Sequence, residues 1–176
     1  MRQVRPVEVH WKLFCLEEVN KKEGAEVDWE KGRSAPVLRL LALVRRKHGD
    51  DGVDRLYDAL GKARFVREET LNEPAVVEAA LKEAGLDPGL YAAALADDST
   101  RDEVAAEHAE VVEKQGAFGV PTLVLREDQK SGIFGPVIDK VPEGEEAGEL
   151  WDHVKSLARQ QSFYELKRSR PTPPHH

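Results

Sequence analysis

Cys15 is the only thiol of this chain, and Gly119-Val120-Pro121-Thr122 places a proline at the head of the apolar run Leu123-Val124-Leu125. A lone thiol becomes a nucleophile when a helix N-terminus or a nearby cation lowers its pKa. Cys15 ends an alternating run, a strand position that offers no helix terminus, so the expectation is a buried structural thiol, with a single reactive thiol as the competing reading. The Val120-Pro121 bond also has two readings. It is either a cis bond with a special role or an ordinary trans proline opening a strand.

The other polar residues point less sharply. His10, His48, His108 and His153 lack metal-ligand spacing and read as side chains on partly exposed faces, so no metal site is expected. Glu143, Glu145 and Glu146 gather at a helix start, where the helix dipole accounts for them without acid–base chemistry. Phe134, Trp151, Phe163 and Tyr164 could line a cleft, although spacing places Trp151 in the core. His175 and His176 are set aside as tail residues.

Positioning these residues requires a series of elements. Val7, Val9, Trp11, Leu13 and Cys15 alternate with polar residues, the pattern of a half-buried strand. A polar loop from about Glu18 to Arg33 follows. Ser34 then caps a helix that ends near His48-Gly49, and Asp50 to about Val66 forms a second, the two making a helical hairpin. Asn72-Glu73-Pro74 starts a third helix that Gly85 stops, and Asp87-Pro88 starts a fourth. Thr100-Arg101-Asp102-Glu103 fits a capping box for a fifth, with Val104, His108, Val111 and Val112 on one stripe and Gly116 at its end. Strands return at Pro121 to Leu125 and Gly132 to Phe134, joined by a polar turn over 126–130. A last helix runs roughly from Glu145 to Arg159 with Leu150, Trp151, Val154, Leu157 and Ala158 as its stripe, and the Pro-rich end is a tail.

The 176 residues suffice for one core with an insertion. A net charge of −7, with 26 basic and 33 acidic residues intermixed, argues against nucleic acid as a partner. No apolar stretch reaches the roughly 20 residues of a membrane span, and the start lacks the apolar segment of a secretory signal. A cytoplasmic location follows as the expectation, with stability resting on packing rather than on disulfides.

The order of one strand, five helices, two strands and a helix, with Gly119-Val120-Pro121-Thr122 at the second strand, resembles the DsbA-like branch of the thioredoxin superfamily. Trp11 to Asn20 resembles the second-strand motif of actinobacterial DsbA-family proteins, which usually have serine where Cys15 stands. Phe134-Gly135-Pro136-Val137, Gly144-Glu145-Glu146-Ala147-Gly148 with Trp151, and Phe163 to Arg168 resemble the C-terminal third of the mycothiol-dependent nitroreductase group. The resemblance implies an α/β, thioredoxin-like fold, here N-terminally incomplete, with residues 1–33 and 117–160 as its core. Residues 34–116 would be an inserted all-helical domain and 161–176 a C-terminal tail.

The resemblance also implies thiol–disulfide oxidoreduction or thiol-dependent reduction. A Cys-x-x-Cys performs that chemistry, the cis-proline strand positions the thiol or disulfide substrate through Val120 and Pro121, and Asn20 lies near the site of a low-molecular-weight thiol such as mycothiol. This chain has no such cysteine pair and therefore no catalytic residue of that kind. The expectation is that Met1 stands near the end of the family's first helix, either because the true start lies further upstream or because this is a truncated relative, with a few tens of residues of strand and helix missing. The alternative is a non-catalytic binding or interaction module that pairs its open strand with a partner or, as a homodimer, with a second copy.

Overall fold

The computed structural model describes residues 2–127, 132–138 and 140–169. The turn residues 128–130 and the tail from Arg170, including His175 and His176, lie outside the described residues. The elements are α1 (Leu16–Asn20), α2 (Ala35–Gly61), α3 (Pro74–Glu83), α4 (Leu90–Ala96), α5 (Asp98–Gln115), β1 (Thr122–Leu123), β2 (Ile133–Phe134) and α6 (Gly144–Ala158).

Helices α2 to α5 enclose the main core, built from residues such as Leu40, Val44, Val53, Leu56, Val77, Leu81, Leu90 and Val104. Helix α2 bends at Gly49, whose φ of 65° and ψ of −168° no other helical residue there shares. Glycine reaches that backbone conformation without the steric cost a Cβ brings. The helix expected to end near His48-Gly49 and the one expected from Asp50 thus meet at this kink within α2, and a π-wound turn, Lys62–Val66, follows the second.

A buried polar cluster is set within this apolar unit. Arg39, 2% exposed, donates from Nη2 to the carbonyls of Ala94 (3.2 Å), Leu95 (2.9 Å) and Asp97 (3.3 Å), and from Nε to Thr100 Oγ1 at 3.0 Å. It caps the end of α4, where carbonyls lack helical partners and the dipole favours a cation. Thr100 in turn donates to the carbonyls of Ala94 and Asp97. The expected capping box is therefore corrected: Asp97 caps α5 by accepting from Ser99 N–H, and Thr100 lies inside the helix. Glu103 turns outward to Arg45 and Arg46 instead of back to the helix start.

Further corrections concern the ends of elements. Helix α4 begins at Leu90 rather than at Pro88, because Asp87 Oδ1 accepts from Gly89 N–H and holds a turn there. The expected loop from Glu18 opens with the short helix α1. Of the strand expected over Pro121 to Leu125, only Thr122 and Leu123 pair, antiparallel with Phe134 and Ile133. Trp151, expected in the core, is half-buried, since only Ala147 and Gly148 of α6 are fully covered.

The segment Val7 to Cys15 keeps its alternation of burial, with Leu13 and Cys15 inside and Glu8, His10 and Lys12 outside, yet it belongs to no sheet among the described residues. Helix side chains replace the missing neighbour. Glu107 Oε2 accepts from Leu13 N–H at 3.1 Å, His108 Nδ1 from Cys15 N–H at 3.2 Å, and Arg45 Nη1 donates to the Trp11 carbonyl at 3.2 Å. Leu13 joins the helical core directly, while Trp11 and Trp29 pack on its edge.

The hairpin, α6 and the chain start are tied by charge. Arg5 bonds Glu145 at 2.6 Å and Asp152 at 2.9 Å, one helical face of α6, and a side chain at Gly148 would come within 2.8 Å of that guanidinium. Arg126 reaches Glu8 at 3.2 Å and Arg159 reaches Glu127 at 2.5 Å. No helix of the described residues is long and apolar enough to cross a membrane.

Two outcomes follow from this division. Replacing Arg39 by Met orphans several buried carbonyls and should cost about 3 kcal/mol in urea unfolding, whereas a loss under about 1 kcal/mol would contradict its capping role. Raising salt to about 1 M, or substituting Arg5→Gln, should speed amide hydrogen exchange in α6 severalfold while leaving α2 unchanged, because exposed pairs are screened and an apolar core is not.

Candidate functional site

Val120 and Pro121 lie at the entrance to β1, and the bond between them is cis. The Pro121 carbonyl accepts from Gly135 N–H at 2.8 Å, and Thr122 Oγ1 donates to the Gly119 carbonyl at 2.7 Å, so the turn is braced on both sides of Val120. Val120 itself is 45% exposed, and among the described residues neither its N–H nor its carbonyl has a hydrogen-bond partner. The stacked rings of Phe118 and Phe134, 5.2 Å apart, border it as an exposed apolar rim. A Cβ on Gly119 would stand 3.0 Å from the Phe134 ring, so glycine is what allows the ring to lie against the backbone there.

The hairpin is anchored to α5. Gly132 N–H donates to the Gln115 carbonyl at 2.8 Å, and a Cβ on Gly132 would fall 2.5 Å from Thr122 Cγ2. Gln115 Oε1 is buried beneath this junction without a partner among the described residues.

Asn20 closes α1 and donates through Nδ2 to the Leu16 carbonyl at 2.9 Å. With Glu17, Lys21, Val27 and Asp28 it lines an open cleft of about 380 Å³. Glu17 also ties α1 to α2, since its Oε1 accepts from Ser34 N–H, Ser34 Oγ and Ala35 N–H and so caps α2 from a distance. No hydrogen bond, ion pair or ring contact joins Asn20 to Val120 or Pro121 among the described residues. What they share is α5, which holds Cys15 through His108 and Gly132 through Gln115.

Cys15 corrects one expectation and supports another. It directly precedes α1, so a helix terminus is present after all. The thiol is nevertheless 0% exposed, and burial pushes its pKa up beyond the usual thiol range; the Glu17 and Glu18 carboxylates add to this, against opposing backbone hydrogen bonds from the same two residues. Desolvation disfavours a thiolate more than one short turn stabilises it. Among the described residues, no group of three or more His, Cys, Asp or Glu side chains could hold a metal ion.

Glu107 and Glu17 escaped sequence reasoning, which places His108 on the α5 stripe without its partner. Glu107 is 9% exposed and holds Arg45 at 2.9 Å and Lys12 at 3.2 Å beside the Leu13 amide. Its place between Val104 and Val111 on the buried stripe is the signal that could have revealed it, because a charge on a core-facing position needs partners. His108 shares that stripe. Glu17 gave no local signal, since the helix it caps starts 18 residues further on.

An aromatic disulfide reagent should label native Cys15 at least about a hundredfold more slowly than the urea-unfolded chain, as expected of a thiol reached only by opening of the structure. Comparable rates in the two states would show an accessible thiol and reinstate the reactive reading.

A curated protein of Mycobacterium tuberculosis, the uncharacterized protein Rv2286c, is 37% identical over 166 residues, covering 92% of this chain and 69% of that protein. Residues 1–168 match the family described as Rv2466c-like, mycothiol-dependent nitroreductase Rv2466c. That match takes in α1 with Asn20, the braced Val120-Pro121 turn and all of α6, and the chain belongs to the Rv2466c-like family of mycothiol-dependent nitroreductases.

Proposed function

We propose that this chain forms the substrate-facing part of a thiol-dependent reductase that works by DsbA-type thiol–disulfide exchange on a thioredoxin-like frame, with mycothiol or a similar low-molecular-weight thiol as co-substrate. The observation that carries the reading is the exposed residue Val120, whose backbone groups have no partner among the described residues, beside Pro121 and the Phe118–Phe134 rim. A backbone N–H and carbonyl free of internal partners can pair with the backbone-like amides of a thiol substrate, and the rim excludes water from one side.

In the exchange, a thiolate attacks one sulfur of a disulfide, a new S–S bond forms, and the other sulfur leaves as a thiolate. A second thiolate then resolves the mixed disulfide. Neither role falls to Cys15, which is single, buried and held in its neutral form. The attacking and resolving thiols are therefore supplied from outside residues 1–176, and Asn20 contributes a side-chain amide to the co-substrate's cleft. A single unpaired cysteine suits a reducing, cytoplasmic setting. The burial of the only thiol equally favours a second reading, a module that binds thiols or partner strands without reacting.

Titrating the chain with mycothiol disulfide while following backbone amide resonances tests both. Shifts centred on Val120 and Asn20, with affinity about tenfold weaker in Val120→Asp, are expected. Shifts confined elsewhere, or undiminished binding by the variant, would overturn the site. Adding a Cys-x-x-Cys dithiol protein then separates the readings: release of free mycothiol faster than the dithiol achieves alone supports the reductase, and unaltered release supports the binding module.

A further inference from the structure

The start of α1, which carries Glu17 and Asn20 of the cleft, is tied to α2 through Glu17 and to α5 at Cys15. Cys15 N–H donates to His108 Nδ1 at 3.2 Å, and the Cys15 carbonyl accepts from Glu18 N–H at 3.2 Å in the first turn of α1. Only an unprotonated Nδ1 can accept; an imidazolium would point an N–H at another N–H. The ring sits half-buried with Phe14 against it edge-on, centroids 4.8 Å apart, so packing sets its position. From α1 it faces Glu18 and Lys21, charges of opposite sign, while Glu107, its neighbour on α5, is engaged by Arg45, Lys12 and Leu13 N–H.

We propose that His108 is a positioning residue: as a neutral acceptor it pins the start of α1, and with it the Asn20 side of the cleft, and its protonation releases both. The functional consequence rests on the reading of that cleft as the co-substrate's site.

Burial holds His108 below the usual imidazole range, with Lys21 pushing the same way and Glu18 against it. A base with a depressed folded pKa favours the pinned state fully above the ordinary imidazole value, and this preference is lost as pH falls through the lower folded value. The cleft should thus loosen on acidification.

The test measures exchange protection of the Glu18 to Asn20 amides, corrected for intrinsic rates, together with affinity for mycothiol disulfide, from about pH 7.5 down to about pH 5.5. His108→Asn keeps an acceptor near the Nδ1 position and cannot titrate. His10→Gln is the control, since His10 sits on the same extended segment between Glu8 (3.1 Å) and Asp50 (3.2 Å) and does not touch α1. Wild type should lose up to about tenfold in protection, since pH 5.5 lies about one unit below the ordinary imidazole value, while His108→Asn should stay within about twofold and His10→Gln should follow wild type. A His108→Asn chain that titrates like wild type, or wild-type protection that does not fall, would overturn the proposal. If that variant does not fold, the ring nitrogen resonances of the wild-type chain decide: Nδ1 unprotonated at neutral pH, with protection lost as it titrates, supports the role, and a protonated Nδ1 contradicts it. Protection that falls while affinity holds would overturn the link to the cleft. Protection that falls in a chain that never binds mycothiol disulfide leaves the positioning role standing and removes the thiol reading.

Discussion

Extended backbone without a neighbouring strand must find hydrogen-bond partners elsewhere, and the way this chain meets that requirement organises the rest of it. Trp11, Leu13 and Cys15 present one edge to the helices, where Arg45, Glu107 and His108 supply an acceptor or donor for each. An unmet buried amide costs about 1–3 kcal/mol, so these three side chains decide where the segment can lie. Their placement on α2 and α5 explains why a charged residue and a histidine occupy the buried stripe of α5. It also fixes the start of α1, and through α1 the cleft that Asn20 lines.

Two kinds of cohesion follow. The helical unit of α2 to α5 is held by a continuous apolar interior with one buried guanidinium, Arg39, in a polar cluster set within it. The hairpin, α6 and the chain start have few fully buried residues and rely on Arg5, Arg126 and Arg159 to reach carboxylates on neighbouring elements. Ion pairs at an exposed surface are individually weak and sensitive to salt. The candidate substrate surface around Val120 therefore sits on the less stable part of the molecule, where regions that adapt to ligands are commonly found.

Local signals located most elements. Gly85 and Gly116, at φ of 70° and 65°, close α3 and α5 as their positions suggest, and Pro74 opens α3. Signals failed where a distant partner competed with a local one. Thr100 and Glu103 fit a capping box by spacing, yet Arg39 takes the hydroxyl while Arg45 and Arg46 take the carboxylate. The alternation over Val7 to Cys15 correctly ordered inside and outside but could not say whether a strand or a helix would satisfy the backbone. Trp151 lies on the correct stripe of α6, and its burial depends on how closely that helix docks.

The sequence by itself determined the helical segments from Ser34 onward, their stops, the single thiol, and the Val120-Pro121 motif with its flanking apolar run, because each depends on residues within a turn or two of one another. It also carried the family resemblance, through motifs at both ends of the chain. Tertiary structure alone decided that the Cys15 amide bonds His108, that Glu17 caps α2 across a loop, that Arg39 closes α4, and that no contact joins Asn20 to Val120 among the described residues. Those outcomes depend on which groups are brought together from 17 to 93 positions apart. Desolvation and long-range hydrogen bonding then reset the chemistry that the local pattern leaves open.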